Sequence, residues 1–151
     1  DGVGGYTLTI RPTGAARSIT GTGTGTTLIK LNGADRVTID GSVGGGGTDR
    51  SLTLNNTNTA NGTGVLFIAS LGTGAGATNV TVKNCLIRAG GIGTSANFTY
   101  GVFVGDTGGA SAGADNDNLT LQNNQINLAR TGIQIVGTAA GLRMPSSRRS
   151  V

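Results

Sequence analysis

Seven aspartates, no glutamate, no histidine and one cysteine define the chemistry open to this 151-residue chain. Without histidine, Ser-His and Cys-His nucleophiles and transition-metal sites have no residues to draw on. Carboxylate chemistry remains. Glycoside hydrolysis needs two acids about 5–10 Å apart, and Asp35 and Asp49 fall in loops whose spacing does not pair them. The run Asp115-Asn116-Asp117-Asn118 gathers oxygens just before a strand, making Asp115 and Asp117 the candidate ligands of a loop calcium site. The loop lacks the glycine and the distal acid of an EF-hand, and Ca2+ is the only cofactor these residues leave open. The glycine runs "GVGG", "GTGTGT" and "GGGG" precede neither a helix nor a lysine, so they do not read as phosphate cradles.

Composition explains why so little chemistry is present. Glycine supplies 29 residues, charged residues 12 % and aromatics 3 %. Threonine, valine, isoleucine and asparagine are plentiful and strong helix formers scarce, a mix that suits strands joined by tight turns. The formal charge of +4 owes much to Arg143, Arg148 and Arg149 in the final nine residues. The body is close to neutral and carries no aromatic stacking platform, which argues against a nucleic-acid partner. No apolar stretch approaches the roughly 20 residues of a membrane-spanning helix. The chain begins at Asp1 without methionine and reads as processed or excerpted.

The elements that must position the aspartates emerge from a repeated phrase. An apolar-Thr-apolar triplet begins at Leu8, Val37, Val80 and Leu119. A second strand follows each triplet, at Ile19, Leu52–Leu54, Ile87 and Ile126–Leu128. A third closes each unit: "TLIKLNG", "GVLFIAS", "GVFVGD" and "GIQIVG". Three short strands per unit, four times over, predict an all-β fold without helices, a right-handed parallel β-helix of about four turns over residues 1–138. Residues 139–151 read as a basic irregular tail. At about 4.8 Å per turn the solenoid would rise roughly 19 Å.

Period-2 alternation then assigns faces. The inward columns of the first sheet are Leu8/Val37/Val80/Leu119 and Ile10/Ile39/Val82/Leu121; those of the third are Ile29/Val65/Val102/Ile133 and Leu31/Phe67/Val104/Ile135. Outward, Thr9, Thr38, Thr81 and Thr120 stack beside Arg11, Asp40, Lys83 and Gln122. Asp40 between two cations reads as a salt-linked ladder rather than a metal site. Ice binding wants two adjacent threonine columns, and only one is complete. Asn84 and Asn123 share a corner, where asparagine tolerates left-handed backbone and stacked amides can bond. Cys85 reads as a small corner filler. Leu66 and Phe103 fall in the outward row Lys30/Leu66/Phe103/Gln134, predicting either a lateral contact or a patch covered by the loop 90–100 through Phe98 or Tyr100.

"LIKLNGADRVTIDGS" followed by "NVTVKNCLIRAG" resembles the repeat modules of large secreted bacterial surface proteins within the pectin-lyase-like right-handed β-helix superfamily. The resemblance spans roughly residues 6–138. It implies a scaffold at the cell surface or outside the cell; among its members, pectate lyases gather calcium-binding aspartates and an arginine base on one sheet face. A solenoid leaves unpaired edges and apolar core at both ends. Leu8 and Ile10 at one end and Ile133 and Ile135 at the other are therefore contact candidates. The partner would be a second copy stacked end to end or further turns of a longer parent array, with the basic tail or the strand at Tyr6–Ile10 plugging a neighbour. A carbohydrate-binding or polysaccharide-lyase-like module, with a surface glycan as partner, is the alternative.

Overall fold

The computed structural model describes residues 5–22, 27–92, 99–109 and 111–137. The tail at 139–151 and Phe98 lie outside this set. Short β-branched runs broken by Gly, Asn and Asp form twelve strands and, among the described residues, no helix. The first turn holds β1 (Leu8–Ile10), β2 (Arg17–Gly21) and β3 (Thr27–Asn32); the second β4 (Val37–Asp40), β5 (Leu52–Asn56) and β6 (Thr63–Ser70). The third holds β7 (Thr81–Lys83), β8 (Cys85–Gly91) and β9 (Thr99–Asp106); the fourth β10 (Thr120–Gln122), β11 (Gln125–Ala129) and β12 (Thr131–Ile135). They pair in three parallel four-stranded sheets, ordered β1-β4-β7-β10, β11-β8-β5-β2 and β12-β9-β6-β3. This is a right-handed parallel β-helix of four rungs, with the other two sides of each rung serving as the crossover that parallel strands require.

On the first sheet the register matches the sequence reading: Leu8 pairs with Val37, Ile10 with Ile39, Ile39 with Val82, and Thr9, Thr38, Thr81 and Thr120 form one column. Ile39, Val80 and Val82 are fully buried. On the second, Ile19, Leu54, Ile87 and Ile126 make the central inward column. There a register shift between Asn127 and Ala129 expels Leu128, which takes a φ of 57°.

On the third sheet the second rung sits one residue away from the expected register. Ile29 pairs with Leu66, not Val65, and Leu31 with Ile68, not Phe67. Leu66 therefore belongs to the inward core, and Phe67 takes the outward place between Lys30 and Phe103. Neither Leu66 nor Phe103 is surface: both are fully buried. Phe67, Phe103 and Tyr100 form a second, smaller core, with ring centroids 5.2–6.2 Å apart. Part of its cover is the stretch 107–109. Gly109, at φ 74°, lies so near the Phe67 ring that any side chain there would strike it, and Lys30 donates from Nζ to the Thr107 carbonyl. Tyr100 belongs to the cluster as a residue of β9, not as part of a loop folded back over it.

Burial varies from rung to rung. The inward residues of the two middle rungs are between 0 % and 4 % exposed, whereas Leu8 is 51 %, Ile133 46 % and Ile135 53 % exposed. Ile10 is half-buried against the core. Interior rungs are covered above and below, and the end rungs on one side only.

Candidate functional site at the Asp40 corner

The chemistry-bearing side chains converge where the first sheet turns into the second. Asp40 ends β4 and is 4 % exposed. Its Oδ1 accepts hydrogen bonds from Ser42 N (3.0 Å), Ser42 Oγ (2.8 Å) and Asn84 Nδ2 (2.9 Å). Its Oδ2 lies 3.2 Å from Lys83 Nζ. Burial acts to raise the carboxyl pKa, but the bonds from Asn84, Ser42 and Lys83 outweigh it and hold the group well below the usual carboxylate range. The carboxylate stays anionic at neutral pH, and its lone pairs are committed within the protein. The ladder of opposite charges holds on one side: Lys83 makes the ion pair, and the Arg11 guanidinium lies against Gly45.

Asn84 and Asn123 occupy the corner at φ 57° and 50°, the left-handed conformation that asparagine tolerates best among non-glycine residues. Asn123 donates to Asn84 Oδ1 (2.7 Å) and Asn84 donates on to Asp40, so a polar column climbs three rungs, buried at Asp40 and Asn84 and exposed at Asn123. A parallel column exists one corner earlier. Arg36, Asn79 and Asn118 all have φ between 53° and 55°, and Asn118 donates to Asn79 Oδ1 (3.1 Å). In the sequence, Asn79 and Asn118 are the sign of this corner.

The loop from Ser42 to Arg50 closes over this column as a strap touching all four rungs. Gly44 N donates to Pro12 O on the first rung (2.9 Å), and Asn84 Nδ2 on the third reaches Gly47 O (3.2 Å). Arg50 Nε donates to Asn123 O on the fourth (2.7 Å). Asp49 shapes the strap by accepting from Ser51 Oγ (2.7 Å) and Val43 N (3.1 Å), bonds that lower its carboxyl pKa. In the sequence this stretch reads only as the loop that carries Asp49, because its contacts are long-range and leave no local pattern.

The remaining carboxylates are spread through other corners. Asp35 ties the second rung to the third by accepting from Thr78 N (2.9 Å) and Thr78 Oγ1 (2.6 Å). Asp115 Oδ2 accepts from Gly74 N (2.6 Å), and the neighbouring Asn116 uses both ends of its amide, toward Ala77 N and Gly105 O. Asp117 is exposed, and its backbone carbonyl accepts from Asn79 N (3.0 Å). Among the described residues no three His, Cys, Asp or Glu side chains gather where they could share a metal ion.

Cys85 begins β8 facing inward, fully buried, with Sγ 3.1 Å from Lys83 O. Burial, aided by the nearby Asp40 charge, pushes its thiol up to about 12. Because the thiolate is the reactive form, native protein at pH 8 is expected to react with Ellman's reagent at least 100-fold more slowly than denatured protein, which should release one equivalent. Rapid labelling without denaturant would show that the corner opens in the native state. No family model, curated protein or solved structure matches this chain.

Proposed function

We propose that the chain is a non-enzymatic structural module of the cell surface or extracellular space, a β-solenoid that stacks end to end into a fibre or decorates one. The observation that carries this reading is the contrast between closed sides and open ends. Along the sides, buried polar side-chain atoms find partners and the outward aromatic cluster is capped. At the ends, Leu8, Ile133 and Ile135 expose about half of their surface in the same columns whose interior members are sealed. Unpaired parallel strand edges bordered by apolar residues are templates for further strands. The likeness of the repeat phrases to pectin-lyase-like modules of secreted bacterial surface proteins supports the same setting. The engagement of Asp40 supports scaffold over lyase.

Light scattering across a 100-fold concentration range, followed by electron microscopy, tests the proposal. Mass is expected to grow with concentration, and images to show rods of constant width and increasing length. Particles of about 15 kDa at every concentration would overturn it, as would polysaccharide turnover in calcium that disappears in Asp40→Asn.

A further inference from the structure

Resting on that stacking reading, we infer that copies join head to tail in a single register, with β10, β11 and β12 of one copy pairing with β1, β2 and β3 of the next. The first rung carries one strand-borne cation in its second-sheet inward column (Arg17) and one in its third-sheet outward column (Lys30), and Arg11 directly follows β1. Traced up the solenoid, each of the three columns ends on the fourth rung in a side-chain amide. Arg11, Asp40 and Lys83 lead to Gln122; Arg17, Leu52 and Cys85 lead to Asn124; Lys30, Phe67 and Phe103 lead to Gln134. Placed head to tail, the cation of each column comes beside an amide-bearing position of the neighbouring copy rather than beside another cation, while Lys30 keeps its bond to the Thr107 carbonyl and Asn124 its bonds to Cys85 N and Val82 O. Head to head, the strands would run antiparallel across the junction, the columns would not continue, and two cation-bearing end rungs would face each other.

The apolar columns continue across the same junction. Leu121 meets the next copy's Ile10, Ile126 meets its Ile19, Ile133 its Ile29 and Ile135 its Leu31, as the internal pairs do. The backbone rule at the Asp40 corner also carries over. Gly41 N donates to Lys83 O (2.8 Å) and Asn84 N to Gln122 O (3.1 Å), so Asn123 N is aimed at the next copy's Arg11 carbonyl. Pro12, which has no N–H to give, sits at the equivalent corner on the side facing the second rung, where its ring does not obstruct the junction. Such a contact is heterologous and does not close, so it propagates as a filament.

The threonine column supplies the test. Across the junction Thr120 and the next copy's Thr9 would lie about 4.8 Å apart, inside the roughly 4.4–6.8 Å Cα range of a disulfide. Within one copy they are three rungs apart and cannot meet. The full chain carrying both Thr9→Cys and Thr120→Cys, mildly oxidised and run on a non-reducing gel, is expected to give a ladder of covalent multimers. Either single variant alone should stay monomeric on the gel, and their equimolar mixture should stop at dimers. Circular dichroism verifies that each variant is folded, and light scattering is recorded on the same samples. Assemblies in light scattering without cross-links, or dimers from Thr9→Cys alone, would overturn this register and leave end-to-end stacking standing. Monomers throughout would overturn both.

Discussion

Gly41→Ala is expected to destabilise the protein by about 4 kcal/mol or more, enough to leave much of it unfolded at 37 °C, given the usual total of about 5–15 kcal/mol. Gly41 lies directly beneath Asn84 on the Asp40 corner. A Cβ built on it would overlap the Asn84 carbonyl oxygen and crowd the Cys85 Cα. Both obstacles are backbone held by rung-to-rung hydrogen bonds, so no rotamer change relieves the overlap. The turn would have to lift, breaking Gly41 N to Lys83 O and disturbing the Asn84 bond to Asp40. A melting temperature lower by roughly 10–15 °C follows for a chain of this size. Gly132→Ala is the control, because nothing lies within 4 Å of its added Cβ. Its stability should stay within about 0.5 kcal/mol of the parent. Equal melting temperatures for Gly41→Ala and Gly132→Ala would mean that the rungs do not approach as closely as described.

Asp40→Ala carries the second large effect, about 3–5 kcal/mol, the usual cost of removing one partner from a buried ion pair. Three hydrogen-bond donations from Ser42 and Asn84 and the Lys83 ammonium lose their acceptor together. Asp40→Asn, which keeps the shape and one carbonyl oxygen, should cost less, about 2–3 kcal/mol. The pH dependence separates charge from packing. The folded carboxyl titrates below its ordinary 3.8, so its stabilisation is complete above that value and is lost as pH falls through it toward the folded pKa. Urea titrations at pH 7, 4 and 2.5 should show the parent losing stability steeply below pH 4. Asp40→Asn, having no carboxyl to protonate, should show a shallower loss. Parallel slopes would place the acid sensitivity elsewhere.

Four rungs, three sheets and the threonine column could all be read from residue order, because on the first sheet every inward place is aliphatic and every neighbour polar. A strand with one apolar face has only one register that keeps its core dry. Asn84 and Asn123 were legible for a similar reason: few residues other than glycine and asparagine accept a left-handed corner, so the residue type reveals the backbone. The segment "GVLFIAS" lacked this contrast. Val65, Leu66, Phe67 and Ile68 are apolar at both parities, so alternation had no polar residue to mark the outer face. Tertiary structure decided between them by building a second core over Phe67, Phe103 and Tyr100 beneath a loop more than thirty residues distant in sequence from Phe67. The strap over Asp40 was hidden for the same reason. "GSVGGGGTDR" has no periodicity, and its bonds to Pro12, Asn84 and Asn123 exist only once the rungs are stacked. Local pattern determines which residues form strands and which columns fill the interior. Whether a carboxylate is exposed or enclosed depends on loops crossing several rungs, and that information lies in contacts between distant parts of the chain.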